Sequence, residues 1–312
     1  MKSIYVFGLF PISPGKTVVS SALCRGLLSR GFKVAPFKPR SGHNLWYQYE
    51  AFKRCKNKTR LFCEDITKLK EASRCQLPYE ILNPIDALMA PLNARNFLEN
   101  GYVREMYLKD ANTFLHLIVE RYTSWKEDRA RTVYCLNEKK LSDETLNYKD
   151  YIRDLTGKSD EILTVEDVAG WASVLRRLGP VCTSTCSRRI AEEYELMVVE
   201  GFNDAVCPAP ELRYDVVVGV APGVAALYNP DDFHRVIEVK SMIGGDPMGM
   251  RAEDIVDFIK PEKTLTIPAL GKDDLRDFDK LSQKLSHIIE AVLDRFAHTL
   301  ENSANSAFRH HF

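Results

Sequence analysis

Residues 4–28 constrain this chain more than any other stretch. The apolar run 4–7 leads into Gly8-Leu9-Phe10-Pro11-Ile12-Ser13-Pro14-Gly15-Lys16-Thr17, and an apolar-periodic segment follows at 18–28. The order reads as strand, tight loop, helix. Val18, Ala22, Leu23 and Leu27 recur at helical spacing, and Gly31 marks the end of the helix. A second short apolar run, 33–37, completes a β-loop-α-β unit. Such units build parallel sheets with right-handed crossovers. A helix N-terminus presents unpaired N–H groups and the positive end of its dipole, so the loop is a candidate phosphate cradle. Its candidate nucleotide-binding residues are Ser13, Pro14, Gly15, Lys16, Thr17 and Val18. Lys16 and the Thr17 hydroxyl stand where β/γ-phosphates and Mg²⁺ would bind. The usual pattern would have Gly at position 10, where this chain has Phe10; the nearest is Gly8.

Composition narrows the class. The 312 residues suffice for one large or two modest domains. Basic and acidic residues are balanced at 43 each, which argues against a nucleic-acid or membrane-surface role. No apolar run approaches the roughly 18–20 residues of a membrane span. The chain enters a strand directly after Met1-Lys2, unlike a secretory signal, and a cytoplasmic protein is expected. The eight cysteines contain no C-x-x-C pair, and Cys182 and Cys186 lack the partners that would complete a zinc pattern, so they read as ordinary thiols.

The rest of the chain reads as further alternation. Helices are expected at 65–75, 110–125, 143–155, 165–178, 184–194 and 278–300. Thr164 would cap the fourth of these and Gly179-Pro180 would stop it. Strands are expected at 3–7, 131–136, 196–199, 215–221, 234–239 and 264–267. Residues 79–91, punctuated by prolines, are expected to be irregular, and 301–312 to be a frayed tail. This predicts a single α/β domain over 1–300, doubly wound and mostly parallel, of the P-loop NTPase type. Its core would be 1–95 and 181–300, with a mainly helical insertion at 96–180.

Three further residues, Glu200, Lys38 and Asp65, could carry chemistry. Glu200 ends an apolar strand and precedes Gly201, where a carboxylate can hold Mg²⁺ directly or through water. Lys38, fixed by Pro39, follows the second strand at the edge where open α/β sheets place their ligands. It could neutralise charge on a transferring phosphoryl group. Ser41 follows closely. Asp65 reads equally well as a helix cap.

Several of these blocks occur in the order found in the dethiobiotin synthetase family, and the chain resembles that family over roughly 1–95 and 184–223. The carriers are Gly15-Lys16-Thr17-Val18-Val19-Ser20, Phe37-Lys38-Pro39 with Ser41-Gly42, Glu64-Asp65, Asn83-Pro84, Val198-Val199-Glu200-Gly201 and Val220-Ala221-Pro222-Gly223. The resemblance implies a dimeric enzyme using ATP and Mg²⁺, an ATP-dependent ligase that carboxylates an amine-bearing small molecule. Lys16 and Lys38 would be catalytic, Lys38 and Ser41 would face the substrate, and Thr17, Asp65 and Glu200 would hold the metal. The chain departs from the family at Pro11-Ile12-Ser13-Pro14, where a Thr-Asp-Thr-Glu-like run is usual, and at Phe202-Asn203-Asp204, where glycines are usual. The alternative expectation is a nucleotide-switched partner-binding or assembly ATPase without ligase activity.

Overall fold

The computed structural model of the chain describes residues 1–12, 14–141 and 148–309, the stretch 298–309 by its backbone alone. Ser13, the start of the helix expected at 143–155 and the last three residues of the expected tail lie outside the described residues. Eleven strands occur among those described. They are β1 (Lys2–Gly8), β2 (Val34–Phe37), β3 (Arg40–Asn44), β4 (Ile85–Met89), β5 (Leu117–Lys126), β6 (Arg129–Asn137), β7 (Glu161–Val165), β8 (Leu196–Glu200), β9 (Val216–Ala221), β10 (Val224–Tyr228) and β11 (Pro261–Thr266).

The fold is mixed α/β, with two sheets where one was expected. The chain divides into two compact units, one comprising Met1–Pro39, Lys68–Gln76 and Ile190–Phe312, the other Arg40–Thr67 and Leu77–Arg189. These boundaries differ from the expected core and insertion. The segment 96–180 contains helices, but β5, β6 and β7 make it part of a sheet rather than a mainly helical insertion.

The first unit holds a six-stranded sheet in the order β11-β10-β9-β1-β8-β2. Strands β2, β8, β1 and β9 run parallel, while β10 and β11 add an antiparallel edge. Alternate residues of a strand face opposite sides, and both sides of β1 are buried. Ile4 and Val6 join a core with Val19, Leu23 and Leu27 of helix Lys16–Ser29 and with Leu281, Leu285 and Ile289. Tyr5 and Phe7 face the other way, where Tyr5 stacks on Tyr214 at 4.4 Å between ring centroids and Phe7 meets Phe233 at 5.5 Å. Each such buried side chain contributes about 1.5–3 kcal/mol. Helices therefore cover both faces, and the C-terminal ends of the parallel strands are left to carry loops.

The second unit holds the sheet β3-β4-β5-β6-β7, parallel at its two outer pairs and antiparallel at its centre. Two expectations fail here for one reason. The helix expected at 110–125 is instead β5 preceded by a helix that ends at Asp110. Residues 117–123 are all buried, so both strand faces are covered and no alternation shows. The segment expected to be irregular, 79–91, contains β4, with Pro84 and Pro91 just outside it, where a missing N–H breaks no ladder.

Three more elements differ. The expected stop at Gly179-Pro180 is crossed by a single helix, Val168–Ala191. The Thr183 hydroxyl donates to Gly179 O at 3.1 Å there, and Cys182, Thr183 and Cys186 are buried, so packing outweighs the lost backbone donor. The strand expected at 234–239 is helix Pro230–Met242. Its start is capped by Asn229, whose side chain accepts from Asp231 N and Asp232 N, and Pro230 sits in the first turn. The expected closing helix is divided into Phe278–Lys284 and Ser286–Arg309, and the second continues through nine residues of the expected tail. All eight cysteines are free and buried. Among the described residues no helix is long and apolar enough to cross a membrane.

Candidate functional site

The site begins with a loop that only particular residues can build. At Gly8 a β-carbon would lie 2.8 Å from Asn203 O, Phe10 O and the Pro14 ring, so the chain leaves β1 too tightly for a side chain. Leu9 N–H donates to Val220 O at 2.9 Å and ties the departing loop to β9. Gly15 turns the chain into the helix at φ +97°, a left-handed conformation that costs glycine little. Helix Lys16–Ser29 starts immediately, with Val18 and Val19 N–H both directed at Gly15 O and no acidic residue in its first turn. The positive end of its dipole is therefore uncompensated by the helix's own side chains. Pro14 and Gly15 form the approach and Val18 the first turn of this N-terminus.

Parallel pairing sets what the loop faces. Register matches Val6 with Glu200, so the end of β8 lies beside the end of β1. Thr17 Oγ1 donates to Glu200 Oε1 at 3.1 Å. From the end of β2, the next parallel strand, Lys38 reaches the same carboxylate oxygen at 2.5 Å. Lys38 is 3% exposed and Glu200 is wholly buried. Glu200 Oε2 is also buried and accepts no hydrogen bond among the described residues. A buried carboxylate oxygen without a donor is costly and calls for an explanation.

Lys16, almost as buried, donates from Nζ to the carbonyl of Asn203. That carbonyl belongs to a loop held in place from several sides. Gly201 N–H donates to Val6 O, and a β-carbon at Gly201 would stand 2.6 Å from the Tyr5 hydroxyl. The Tyr5 hydroxyl donates to Ala205 O at 2.6 Å. Asp204 pairs with Arg251 at 2.9 Å, and its carbonyl accepts from Ala252 N. Asn203 itself has φ +47°. Next to this loop a cavity of about 440 Å³ is lined by residues including Lys240, Gly244, Asp246 and Met250, whose carbonyl accepts from Val206 N–H.

Of the expected site residues, Lys16, Thr17, Lys38 and Glu200 come together in the first unit. Ser41 and Asp65 belong to the second. Ser41 is buried, donates to Asp86 Oδ1 at 2.5 Å and accepts from Asn83 Nδ2 at 2.9 Å, so its hydroxyl is engaged inside that unit. Asp65 is half-buried in the first turn of helix Glu64–Ser73, where an acidic group suits the dipole. The sequence reading missed Tyr5, Asn203, Asp204 and Arg251. Asn203 acts through its carbonyl, which residue identity does not announce; the Glu200-Gly201 step was the available pointer.

No family model matches this chain, and no curated protein matches it.

Proposed function

We propose that the first unit binds a nucleoside triphosphate, ATP by the resemblance, together with Mg²⁺, and cleaves it to the diphosphate and phosphate. The observation that carries this reading is the buried Glu200 carboxylate, one oxygen taken by Thr17 and Lys38 and the other unpartnered, beside a glycine-turned helix N-terminus. Phosphate oxygens would accept from the first-turn N–H groups and from Lys16, whose ammonium exchanges the Asn203 carbonyl for an anion. Lys38 balances the charge of Glu200 and stands ready to offset charge that develops on the γ-phosphoryl.

The residues fit a magnesium ion. A hydroxyl and a carboxylate are the hard oxygen donors that Mg²⁺ prefers, and the orphaned Oε2 is a donor in need of a cation. Thr17 and Glu200 would hold it, and when bound it would neutralise β- and γ-phosphate oxygens. The resemblance would place Ser41 near a substrate; here its hydroxyl donates to Asp86 and accepts from Asn83 within the second unit. Nucleotide binding with hydrolysis is the part of the expectation that rests on residues of the first unit alone.

Calorimetry with ATP, with and without Mg²⁺, tests the reading. Lys16→Ala is expected to weaken binding by about a hundredfold, in line with loss of a buried charge-assisted contact to an anion. Glu200→Gln is expected to keep most of the affinity measured without Mg²⁺ and to lose Mg²⁺-dependent phosphate release. Binding of ATP to Lys16→Ala with parental affinity would overturn the proposal.

A further inference from the structure

The second unit carries a cavity of about 560 Å³, lined by Leu45, Trp46, Tyr49, Phe52, Lys53, Lys56 and Tyr148. Its size falls within the roughly 300–1,000 Å³ of small-molecule sites. The lining has two parts. Leu45, Phe52 and Tyr148 are buried and make the floor. Trp46 and Tyr49 stand at the rim, 64% and 55% exposed, an unfavourable place for large rings unless something covers them.

The exposure of Trp46 is built in. Asn44 Oδ1 accepts from Trp46 N at 2.9 Å and from Tyr47 N at 3.3 Å, while Gln48 Oε1 accepts from Asn44 N at 2.9 Å. Leu45 N–H is tied to Met89 O at 2.8 Å. The turn after β3 is thus fixed from both ends, with its indole directed outward.

Charge is the second, independent observation. The chain as a whole is neutral, yet residues 46–60 hold Lys53, Arg54, Lys56, Lys58 and Arg60 against Glu50. Arg54 pairs with Glu64 and Arg60 with Glu80, so the charge at the cavity is that of Lys53 and Lys56. Lys53 and Lys56 are one helical turn apart on helix Tyr49–Lys58, on the face that borders the cavity. Lys53 pairs with Glu50 at 3.1 Å in an exposed contact. No ion-pair partner of Lys56 occurs among the described residues.

Aromatic walls stack best against flat rings, and ammonium groups at the rim select an anion. We propose that this cavity binds a small planar organic anion, a one- or two-ring aromatic body bearing a carboxylate or a phosphate. The ring lies between Trp46 and Tyr49 above the Phe52 floor, and Lys56 takes the charge. The proposal stands apart from the nucleotide reading of the first unit.

The test is calorimetry on the full chain carrying Lys16→Ala, so that a phosphate-bearing probe reports on this cavity and not on the loop of the first unit. The probes are 2-naphthoate, AMP, neutral 2-naphthamide, octanoate and inorganic phosphate. Saturable binding of 2-naphthoate or AMP is expected, the preferred one distinguishing a carboxylate from a phosphate. Octanoate and phosphate should bind at least about tenfold more weakly, for want of ring stacking. Lys56→Gln should weaken the anion about tenfold and leave the amide unchanged, as a charge-assisted contact predicts. Trp46→Ala should abolish binding of both, while an unchanged far-ultraviolet dichroism spectrum verifies folding. The proposal is overturned if neither ring-bearing anion saturates, if Lys56→Gln binds them as the parent does, or if a twelve-residue oligothymidylate binds where the small anions do not.

Discussion

Each unit buries a glutamate together with a basic residue, and the two arrangements have opposite consequences. In the second unit Glu120 sits in the middle of β5 with both oxygens engaged. Oε1 accepts from Arg40, and Oε2 from the Tyr122 hydroxyl and Trp171 Nε1. Its neighbour Arg121 is likewise satisfied by Leu61 O, Pro84 O, Asn83 O and Thr123 Oγ1. In the first unit Glu200 sits at a strand's C-terminal end with one oxygen left over. Burial of charge is common to both. Unfilled capacity alone does not mark a site, since among the described residues Asp86 Oδ2 and both ring nitrogens of His43 are also buried without a hydrogen bond in the second unit. Glu200 differs in standing at a strand's end beside a helix N-terminus, whereas the completed network around Glu120 cements a sheet.

The largest effect should come from the completed network. Arg121→Leu would strand the Leu61 and Asn83 carbonyls, Pro84 O keeping the Thr123 N–H, and would remove the fork that joins residues 61, 83, 84 and 123. A loss of about 3–5 kcal/mol is expected in urea unfolding, as for two buried carbonyls left without a donor. A neutral result would erase the contrast between the units. Next comes Lys38→Met, which leaves Glu200 charged and buried. A loss of about 3 kcal/mol is expected, and the double variant with Glu200→Gln should recover at least half of it, because the stranded charge is gone. If the double variant is no better than the single, Lys38 does not balance Glu200.

A third effect separates the units by pH. His43 lies against Asp86 at 3.1 Å inside the second unit. Burial by itself would lower its pKa, but the Asp86 carboxylate chiefly, with Cys55 beside it, outweighs that and pushes it up to about 10. A raised folded-state value stabilises fully below the unfolded value of about 6.5, and the gain is lost as pH rises towards about 10. His234 behaves oppositely. Burial chiefly, and Arg213 next, lower its pKa, and its Nε2 accepts from Tyr214 N at 2.8 Å. Its contribution is present at neutral pH and is lost on acidification below about 6.5. Hydrogen exchange followed against pH should therefore show the first unit loosening on the acid side and the second on the alkaline side. His43→Gln should flatten the alkaline limb alone.

Much of the first unit was legible in the residues. The strand, loop and helix over 2–29 follow from local signals, an apolar run, glycines at a tight turn and 3.6-residue periodicity. Thr17, Lys38 and Glu200 could be nominated because each ends or begins such an element. What escaped were segments whose pattern suits either structure. Residues 234–237 contain a β-favouring run, and the Asn229-Pro230 cap upstream outweighs it. Leu117, Ile118 and Tyr122 fit a helix face as well as a fully buried strand, and only the presence of β4 and β6 on either side decides between them.

By itself, then, the sequence determined the strand, tight loop and helix over residues 2–29 and the neighbours that a β-loop-α-β unit must bring together, since turn chemistry and periodicity act over a few residues. Tertiary structure decided that the described residues form two sheets, that Ser41 is engaged by Asn83 and Asp86, and that one oxygen of Glu200 finds no donor among the described residues. Those outcomes depend on which strands pair across 40 to 200 residues of chain, a competition among burials that no local pattern encodes.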